Sequence, residues 1–497
     1  MKQYITLLTL FLATTFAVAQ TVNIEGDPYG GNPYSNISDA IAASTNPSDV
    51  ILITGVHTEP ITIQKSLTLR GTDPTTDIIQ AAASPASDGA GSRVISLDEG
   101  NFIIVIENLG IRNGNISGNG GGIFVDKVTG SVTLSNLIIE NNFASSNGGA
   151  IGLAGTNATI SECTIQNNTS TLDGGAILAA PNNASNMNSV IDISQSLING
   201  NTGRNGGGIY INGNPNFGND FLIDVNIINS TVSNNTATSA SGGNGGGAIF
   251  SAGRPWTVNT AIGNTTLKLV HATFYGNSHA SLNKSGIQFG SAKETNFSAF
   301  NSIVVSTDDI ATKALNFANS NTTDIVNCIL GGLNAAPALV DDSNKNNLKG
   351  RTATQAGLSG TLTDEGGRTQ VLAIADATNA VDFCTAATGL TLPSIDQRGA
   401  ARTGTPDAGA FEFGGTLSLN DSPLMAELSI YPNPSNSIIY IKGVENIKTI
   451  KIYSVLGSLE KTFKDVNAID VNGLTKGLHF AVIKTDQGSV SKRFIVK

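Results

Sequence analysis

The chain has 497 residues, with 28 Lys and Arg against 38 Asp and Glu, and its formal net charge is −10. Charged residues make up only 13% of it, so the clustered cations on which nucleic-acid binding depends are missing. The apolar content of 40% excludes an intrinsically disordered chain.

The first segment, residues 1–19, predicts a secretory signal peptide. An early lysine is followed by an apolar stretch from Ile5 to Val18 and by a small-residue site. This order of features is typical of a signal peptide cleaved between Ala19 and Gln20. A membrane anchor would need about 20 apolar residues, and no other stretch is that apolar. We therefore expect no transmembrane segment in the mature chain.

Residues 20–48 are predicted to form an N-terminal cap. Within them, Ile37–Ala43 reads as a short amphipathic helix. Strand-like runs follow at 50–53, 61–63 and 67–69. The open end of a stack of strands is prone to aggregation, so a helix at this place would protect it.

Residues 49–335 contain an internal repeat. Each copy of the repeat contains an apolar residue that we take as its reference position and call the origin. The origins are Ile111, Ile139, Ile165, Ile198, Val232, Phe274, Val304 and Leu330. A Gly-Gly-small-Ile block lies between origins and starts at Gly120, Gly148, Gly174, Gly206 and Gly246. The shortest step, from Ile139 to Ile165, is 26 residues. No apolar stripe of helical period runs through these segments, which excludes a helical repeat.

We call equivalent positions in successive copies of the repeat a slot. The residue types found in the slots around the origin predict short strands separated by bends. The slot five residues earlier is always apolar. The slot three residues earlier holds Asn108, Asn136, Glu162, Gln195, Asn229, His271, Asn301 and Asn327. The slot two residues later holds mostly Asn or Gly, and these residue types tolerate the left-handed backbone that a bend requires.

These observations predict an all-β chain wound as a parallel β-helix, with three short strands in each coil. Like slots stack at about 4.8 Å. The amides at Asn108, Asn136, Gln195, Asn229, Asn301 and Asn327 are therefore predicted to form a structural ladder. Cys163 and Cys328 share one slot five coils apart, roughly 24 Å, so a disulfide between them is excluded.

Three stretches resemble known β-helix families. Residues 48–71 resemble the opening turns of pectate-lyase-like right-handed β-helix proteins. The Gly-Gly-Gly-Ile and Asn-Asn-Thr blocks resemble repeats of bacterial polymorphic outer-membrane proteins. A closing segment, residues 336–418, resembles choice-of-anchor Q surface proteins through Asp-Gln-Arg-Gly at 396–399 and Asp-Ala-Gly-Ala-Phe-Glu at 407–412. The stretch 364–369 is similar to the Asp-Asn-Gly-Gly-Pro-Thr stretch of that group, with Arg368 at the position where the group usually has proline. The resemblance implies a right-handed winding.

The last segment, residues 419–497, differs from the coils. It opens with Tyr-Pro-Asn-Pro at 431–434 and continues with alternating strands and more charge, which predicts a small β-sandwich. It closely resembles the type A C-terminal sorting domain of the type IX secretion system of Bacteroidetes. The resemblance implies handling by that secretion machinery and a sortase, and a secreted or outer-membrane-surface location with attachment to lipopolysaccharide.

No catalytic residues are predicted. Asp173, Asp192 and Asp224 lie in different slots, and the Gly-His-Gly of polygalacturonase-type hydrolases is absent. The block 253–256 resembles one signature of pectin methylesterases, but the companion blocks with the catalytic aspartates are missing. The scattered histidines and cysteines give no metal cluster. We expect no cofactor, and Ca²⁺ has no specific motif in its support.

Long insertions after three Gly-Gly strands predict a binding edge, because insertions on one face of a solenoid often bind partners. Tyr210, Phe217, Arg254 and Trp256 lie in or beside them and suit a sugar ring. The alternative is that these aromatics only hold the loops in place. The leading hypothesis is a non-catalytic surface protein that binds a glycan, an extracellular polysaccharide or another surface. The alternatives are a polysaccharide lyase or glycoside hydrolase, and a passive structural protein.

Overall fold

A computed structural model describes residues 20–26, 29–181, 188–213, 222–239, 245–252, 254–255, 264–280, 286–290, 293–306, 313–318, 320–385, 392–417, 429–442, 447–454, 459–464, 466–485 and 488–497. The predicted signal peptide, including Ala19, lies outside the described residues. The chain divides into two compact units, Met1–Gly415 and Thr416–Lys497.

The described residues of the first unit form four sheets. Sheet 1 consists of Thr21–Ile24, Val50–Thr54, Leu67–Arg70, Ile103–Glu107, Ser131–Ser135, Ala158–Ser161, Ser189–Ser194, Leu222–Ile228, Arg254–Pro255, Asn264–Val270, Lys293–Phe300 and Ser320–Val326. Sheet 2 consists of Val56–Thr58, Ile78–Gln80, Gly110–Arg112, Ile138–Glu140, Thr164–Gln166, Leu197–Asn199, Thr231–Ser233, Thr273–Tyr275, Ile303–Val304 and Ile329–Leu330. Sheet 3 consists of Asn115–Ile116, Phe143–Ala144, Thr169–Ser170, Thr202–Gly203, Thr236–Ala237 and Ser278–His279. Sheet 4 consists of Ile61–Ile63, Ile95–Leu97, Ile123–Asp126, Ile151–Ala154, Ile177–Ala180, Ile209–Ile211, Ile249–Ser251, Ile287–Phe289, Lys313–Asn316 and Gly332–Asn334.

One coil shows how the chain winds. It passes through Ser131–Ser135, Ile138–Glu140, Phe143–Ala144 and Ile151–Ala154 in sheets 1 to 4, and returns to sheet 1 at Ala158–Ser161. Each of these strands pairs in parallel with its counterpart in the next coil. The fold is a parallel β-helix, as the repeat predicts.

The central coils have four strands rather than the predicted three. The additional strands are those of sheet 3, each two residues long. A two-residue strand is too short to show the apolar alternation by which strands are recognised in a sequence. In the coil described in the previous paragraph, the strand Phe143–Ala144 follows closely after the bend at Asn141. The sequence therefore predicts only a bend at this place.

Isoleucine, leucine and valine fill the interior because alternate side chains of each strand point inward. In Ile103–Glu107, Ile104 and Ile106 are fully buried, while Ile103 and Val105 point outward. Ile104 pairs with Val132 in the next coil, so apolar side chains stack from coil to coil. Each such side chain contributes about 1.5–3 kcal/mol by its burial.

Left-handed residues form the corners between sheets 1 and 2. These residues, which we call the bend column, are Asn108, Asn136, Glu162, Gln195, Asn229, His271, Asn301 and Asn327, with φ between 45° and 56°. Asparagine adopts this backbone more readily than most residues because its short polar side chain forms local hydrogen bonds.

A second column of asparagines lies inside the coil and was not recognised in the sequence. Asn142, Asn168, Asn201, Asn235 and Asn277 form this amide column. The Nδ2 of each of the first four donates to the Oδ1 of the next member at 2.9–3.0 Å, and all five also donate to a backbone carbonyl. The column thus satisfies the buried polar groups along five coils.

The Gly-Gly blocks allow close contact between coils. A Cβ on Gly149 would lie 2.3 Å from the carbonyl oxygen of Gly175 and 2.6 Å from that of Thr169. Both atoms belong to the backbone and cannot move aside cheaply, so the position requires glycine.

The N-terminal end is covered by a short helix, Ile37–Ala43. Asn36 caps it, since its side chain accepts a hydrogen bond from the backbone amide of Asp39. Ile37, Ala40 and Ile41 are buried against the first strands. The predicted capping helix is therefore present.

The last coil leads through the 3₁₀ helices Ala338–Asp341 and Ser343–Lys345 into a segment that we call the strap, residues 350–417. In its described residues, 350–385 and 392–417, the strap contains one short helix, Ala353–Ala356, and otherwise irregular backbone. Its apolar side chains, including Leu358 and Val371, pack with Ile303 and Ile329 of the coils as a second core.

The second unit is a small antiparallel β-sandwich. One sheet contains Ser429–Tyr431, Ile438–Lys442 and Ala468–Asp470, and the other contains Ile447–Ser454, Leu459–Lys464, Gly477–Thr485 and Gly488–Val496. Ile439, Ile450, Ile483 and Phe494 are among the residues of its own core.

Candidate functional site

The strap covers the bend column over the C-terminal coils. Asn229 Nδ2 donates to the carbonyl of Ile395 at 2.7 Å, and Asn327 Nδ2 donates to the carbonyl of Thr385 at 2.7 Å. Asn346, the left-handed residue beyond Asn327, donates in the same way to a strap carbonyl. The side-chain amides at these corners therefore bind backbone carbonyls of the strap.

A buried guanidinium fastens the strap to the coils. Arg402 Nη1 donates to Glu412 Oε2 at 3.0 Å, and Nη2 donates to Asn229 Oδ1 at 3.1 Å. The Arg402 and Glu412 side chains are only 2% and 3% exposed. Burial raises the pKa of Glu412 and that of nearby Asp407, against the lowering effect of Arg402. Arg402 and Glu412 thus form a buried ion pair, which we call the clamp.

The last coil that the strap reaches is that of Glu162, where Arg368 Nε of the strap lies 3.7 Å from Glu162 Oε2. Beyond this contact an open depression begins, which we call the lateral groove. Its larger part has a volume of about 340 Å³ and is lined by Thr72, Asp73, Pro74, Thr75, Asn136, Leu137, Ile138, Glu162, Thr164, Gly367 and Arg368.

The groove continues along sheet 2. An adjoining part of about 170 Å³ shares Pro74, Thr75 and Ile138 with the larger part and adds Arg112, Glu140 and Gln166. The strap tip forms one wall, the loop 72–76 forms the other, and sheet 2 is the floor. The combined volume lies in the range of small-ligand sites.

The floor is a row of stacked polar side chains. Gln80, Arg112, Glu140 and Gln166 are consecutive partners in the register of sheet 2. Arg112 Nε donates to Gln80 Oε1 at 2.9 Å, and Gln166 Nε2 donates to Glu140 Oε2 at 2.9 Å. The remaining guanidinium N–H groups and the second carboxylate oxygen are available to a ligand.

One buried carboxylate shapes the loop wall. Asp77 is 1% exposed and accepts hydrogen bonds from the backbone amides of Gly55 and Thr72 and from the Thr72 hydroxyl, at 2.6–2.9 Å. Burial alone would raise the pKa of Asp77, but these hydrogen bonds outweigh it and hold the pKa below its ordinary value. The charged form of Asp77 thus holds the wall in place.

The predicted aromatic edge lies on a different sheet from the groove. Tyr210 is half-buried on sheet 4 and stacks on Phe250, with ring centroids 6.0 Å apart. Burial raises the pKa of the Tyr210 phenol. The backbone of Arg254 pairs antiparallel with Glu294. Phe217 and Trp256 lie outside the described residues, as does the Arg254 side chain.

The predicted ladder residues occupy corresponding corners and contact one another only in part. Asn136 Nδ2 donates to Asn108 Oδ1 at 2.8 Å, and Asn327 Nδ2 donates to Asn301 Oδ1 at 3.0 Å. Between these pairs, the backbone carbonyl of Gln195 accepts a hydrogen bond from the Thr369 hydroxyl of the strap, and the side-chain amide of Asn229 donates to the Ile395 carbonyl. The continuous ladder is the interior amide column.

Two features of the site were missed in the sequence. The interior amide column stands three residues after the origin in five consecutive coils, and the floor row stands one residue after it. Both rows could have been predicted from the positions relative to the origin that revealed the repeat. The loop 72–76 and the strap contacts have no repeat signal, because each occurs once in the chain.

The carboxylates named in the sequence have separate partners, and Asp224 is paired in register with Val190, two residues before Asp192. Asp173 pairs with Arg204 at 3.0 Å, and Asp192 accepts from Asn226 at 2.9 Å. Among the residues that the structure describes, no three His, Cys, Asp or Glu side chains are grouped as metal ligands. Cys163, Cys328 and Cys384 are buried and free, and burial raises the pKa of Cys163 to about 12.

Two family models match parts of the chain. Residues 429–497 match the secretion system C-terminal sorting domain, and residues 162–180 match the Chlamydia polymorphic membrane protein repeat. No curated protein and no solved structure matches the chain. Every helix in the described part of the chain is too short or too polar to span a bilayer. The type IX sorting domain indicates a protein that is secreted to the cell surface or beyond it.

Proposed function

We propose that the protein is a non-catalytic surface adhesin that binds extracellular glycan in the lateral groove. The observation that carries this proposal is the groove itself, whose floor presents Arg112, Glu140 and Gln166 beside an open volume of about 170 Å³. Hydrogen-bonding side chains on a rigid sheet suit the hydroxyl groups of a sugar, because their positions are fixed before the ligand arrives.

The shape of the groove supports a chain-like ligand. The floor residues come from successive coils, so they repeat at about the 4.8 Å spacing of strands. A pyranose ring has a similar length, and successive sugars would therefore meet successive floor residues. The groove is open at the surface, which allows a long polymer to enter from the side.

The sorting domain supplies the location. A protein that is exported to the surface meets polysaccharides outside the cell, which fits the proposed ligand. We further propose that a sortase removes residues 419–497 and that the β-helix remains attached to lipopolysaccharide, as the resemblance of this domain implies.

Glycan-array binding and calorimetry on the full chain test the proposal. We expect binding that falls about tenfold in Arg112→Ala, since one or two hydrogen bonds from a charged group are lost. Arg351→Ala, which changes a cation outside the groove lining, serves as the control. Binding that is equal in Arg112→Ala and the wild type would contradict the groove as the site.

The same experiment distinguishes the remaining functions. Release of reducing ends or unsaturated products from a polysaccharide would favour a glycoside hydrolase or a lyase. Silence on the array would favour a passive structural protein. Loss of glycan binding in Trp256→Ala, with Arg112→Ala unaffected, would move the binding site to the predicted edge of Tyr210, Phe217, Arg254 and Trp256.

A further inference from the structure

The bend column contains a recognition pattern that the chain itself uses. Asn327 Nδ2 makes two hydrogen bonds, one to Asn301 Oδ1 at 3.0 Å and one to the backbone carbonyl of Thr385 at 2.7 Å. Asn346 Nδ2 likewise donates to Asn327 Oδ1 at 3.1 Å and to the carbonyl of Phe383 at 2.9 Å. In both cases one N–H continues the column and the other holds a secondary-amide carbonyl.

Asn136 has the same arrangement without the strap. It is left-handed, with φ of 48°, and its Nδ2 donates to Asn108 Oδ1 at 2.8 Å. A side-chain amide has two N–H groups, and this bond uses only one. Asn136 is 7% exposed and lines the larger part of the lateral groove. Where the strap would supply a carbonyl, this coil has open space.

We infer that the lateral groove selects sugars that carry an acetamido group, with Asn136 as the donor to its carbonyl oxygen. This inference rests on the proposed glycan-binding function and adds the chemical class of the sugar. An acetamido group is the same secondary amide as the peptide unit that Asn327 and Asn346 hold, so the geometry that binds the strap also fits it.

Groups near Asn136 also favour a sugar with an acetamido group over a sugar with a hydroxyl group. Glu162, which lines the larger part of the groove with Asn136, and Glu140, which lines the adjoining part, would accept hydrogen bonds from sugar hydroxyls and from the N–H of the acetamido group. A sugar with a hydroxyl in place of the acetamido group offers the nine-tenths-buried Asn136 N–H a weaker acceptor than an amide carbonyl, and one that lies closer to the sugar ring, so it should bind less tightly.

The test compares N,N′,N″-triacetylchitotriose with cellotriose, which differ only in the acetamido groups, by calorimetry on the full chain. We expect the acetylated sugar to bind about fivefold to tenfold more tightly. Asn136→Asp, which keeps a residue that tolerates the left-handed backbone but removes the N–H donor, should abolish this preference. Asn136→Gly gives a second variant with unrestricted backbone.

Asn141→Asp is the matched control, because Asn141 is a left-handed asparagine of the same coil that does not line the groove. It should retain the full preference. Equal binding of both sugars would overturn the inference and leave the proposed function intact, whereas failure of every glycan on the array would overturn both. Asn136-dependent binding of a strap peptide, residues 394–400, without binding of the chitotriose would overturn the inference in favour of a protein partner.

Discussion

Two columns of asparagine run along the same coils and have different consequences. The interior amide column is continuous from Asn142 to Asn277, and each member is buried and bonded to its neighbours. The bend column lies at the corners, and its contacts pass to the strap over some coils and to the groove over others. The same residue type thus builds the structure inside the coil and provides contacts at its edge.

The difference follows from what surrounds each amide. An interior side chain can be satisfied only by the coil above and the coil below, so a repeating residue is required at every step. A corner side chain also meets solvent, the strap or a ligand, so its slot accepts Glu162, Gln195 and His271 as well as asparagine. We therefore expect substitutions in the bend column to be tolerated better than substitutions in the amide column.

The largest effect is expected where the strap is fastened to the bend column. Arg402→Met leaves the Glu412 carboxylate buried without its guanidinium partner, and breaking a buried ion pair costs about 3–5 kcal/mol. We expect the strap to detach, with faster hydrogen exchange in residues 392–417 and at the backbone amides near Asn229. Mass-spectrometric hydrogen exchange on the full chain measures this.

The double variant Arg402→Met, Glu412→Gln removes the unpaired charge and serves as the comparison. It should recover part of the lost protection, because a neutral amide is cheaper to bury than a carboxylate. Equal exchange in the single variant and the wild type would show that the strap does not depend on this clamp.

A smaller but still large effect is expected inside the coil. Asn201→Leu removes the acceptor of the Asn168 amide and the donors to Ile165 and Asn235, leaving several buried polar groups unsatisfied. The expected cost is about 3 kcal/mol in the free energy of unfolding, measured by urea denaturation.

Asn226→Leu is the matched control for the interior column. Asn226 faces outward on sheet 1, and its side-chain amide donates to Asp192 Oδ1 at 2.9 Å. Its replacement should cost less than about 1 kcal/mol. A cost for Asn201→Leu as small as that for Asn226→Leu would remove the distinction between interior and corner amides.

Much of the coil could be predicted from the sequence because it repeats. The slots around Ile139 and Ile165 gave the parallel stacking, the inward faces and the left-handed bends. Repetition multiplies a weak local signal, so eight imperfect copies are as informative as one strong motif. The sheet 3 strands were lost for the opposite reason, since two residues such as Phe143–Ala144 carry no periodicity.

The site could not be predicted in the same way. The groove exists because the strap reaches Glu162 and stops, and that contact joins Glu162 to Arg368 across a long stretch of sequence without any repeat. The hydrogen bond between Asn229 and Arg402 is equally non-local. The row Arg112, Glu140 and Gln166 was readable from the slot after each origin, but its role depends on walls that the slots do not encode.

The smallest effect concerns pH and compares the groove wall with the interior amide column. Asp77, which holds the groove wall, has a pKa below its ordinary value of 3.8. A lowered folded-state pKa gives stability that is complete above 3.8 and lost as the pH falls through the folded value. Asp77→Asn should therefore cost about 1–3 kcal/mol at pH 7 and progressively less below pH 3.8, as measured by urea denaturation across that range.

The amide column provides the internal reference for this titration. Side-chain amides do not ionise, so the deficit of Asn201→Leu should stay constant over the pH interval in which the deficit of Asp77→Asn disappears. Parallel behaviour of the two variants would mean that acid acts on the coil as a whole rather than on the loop 72–76. Divergent behaviour would place the acid sensitivity at the groove wall, next to the open stretch of the bend column.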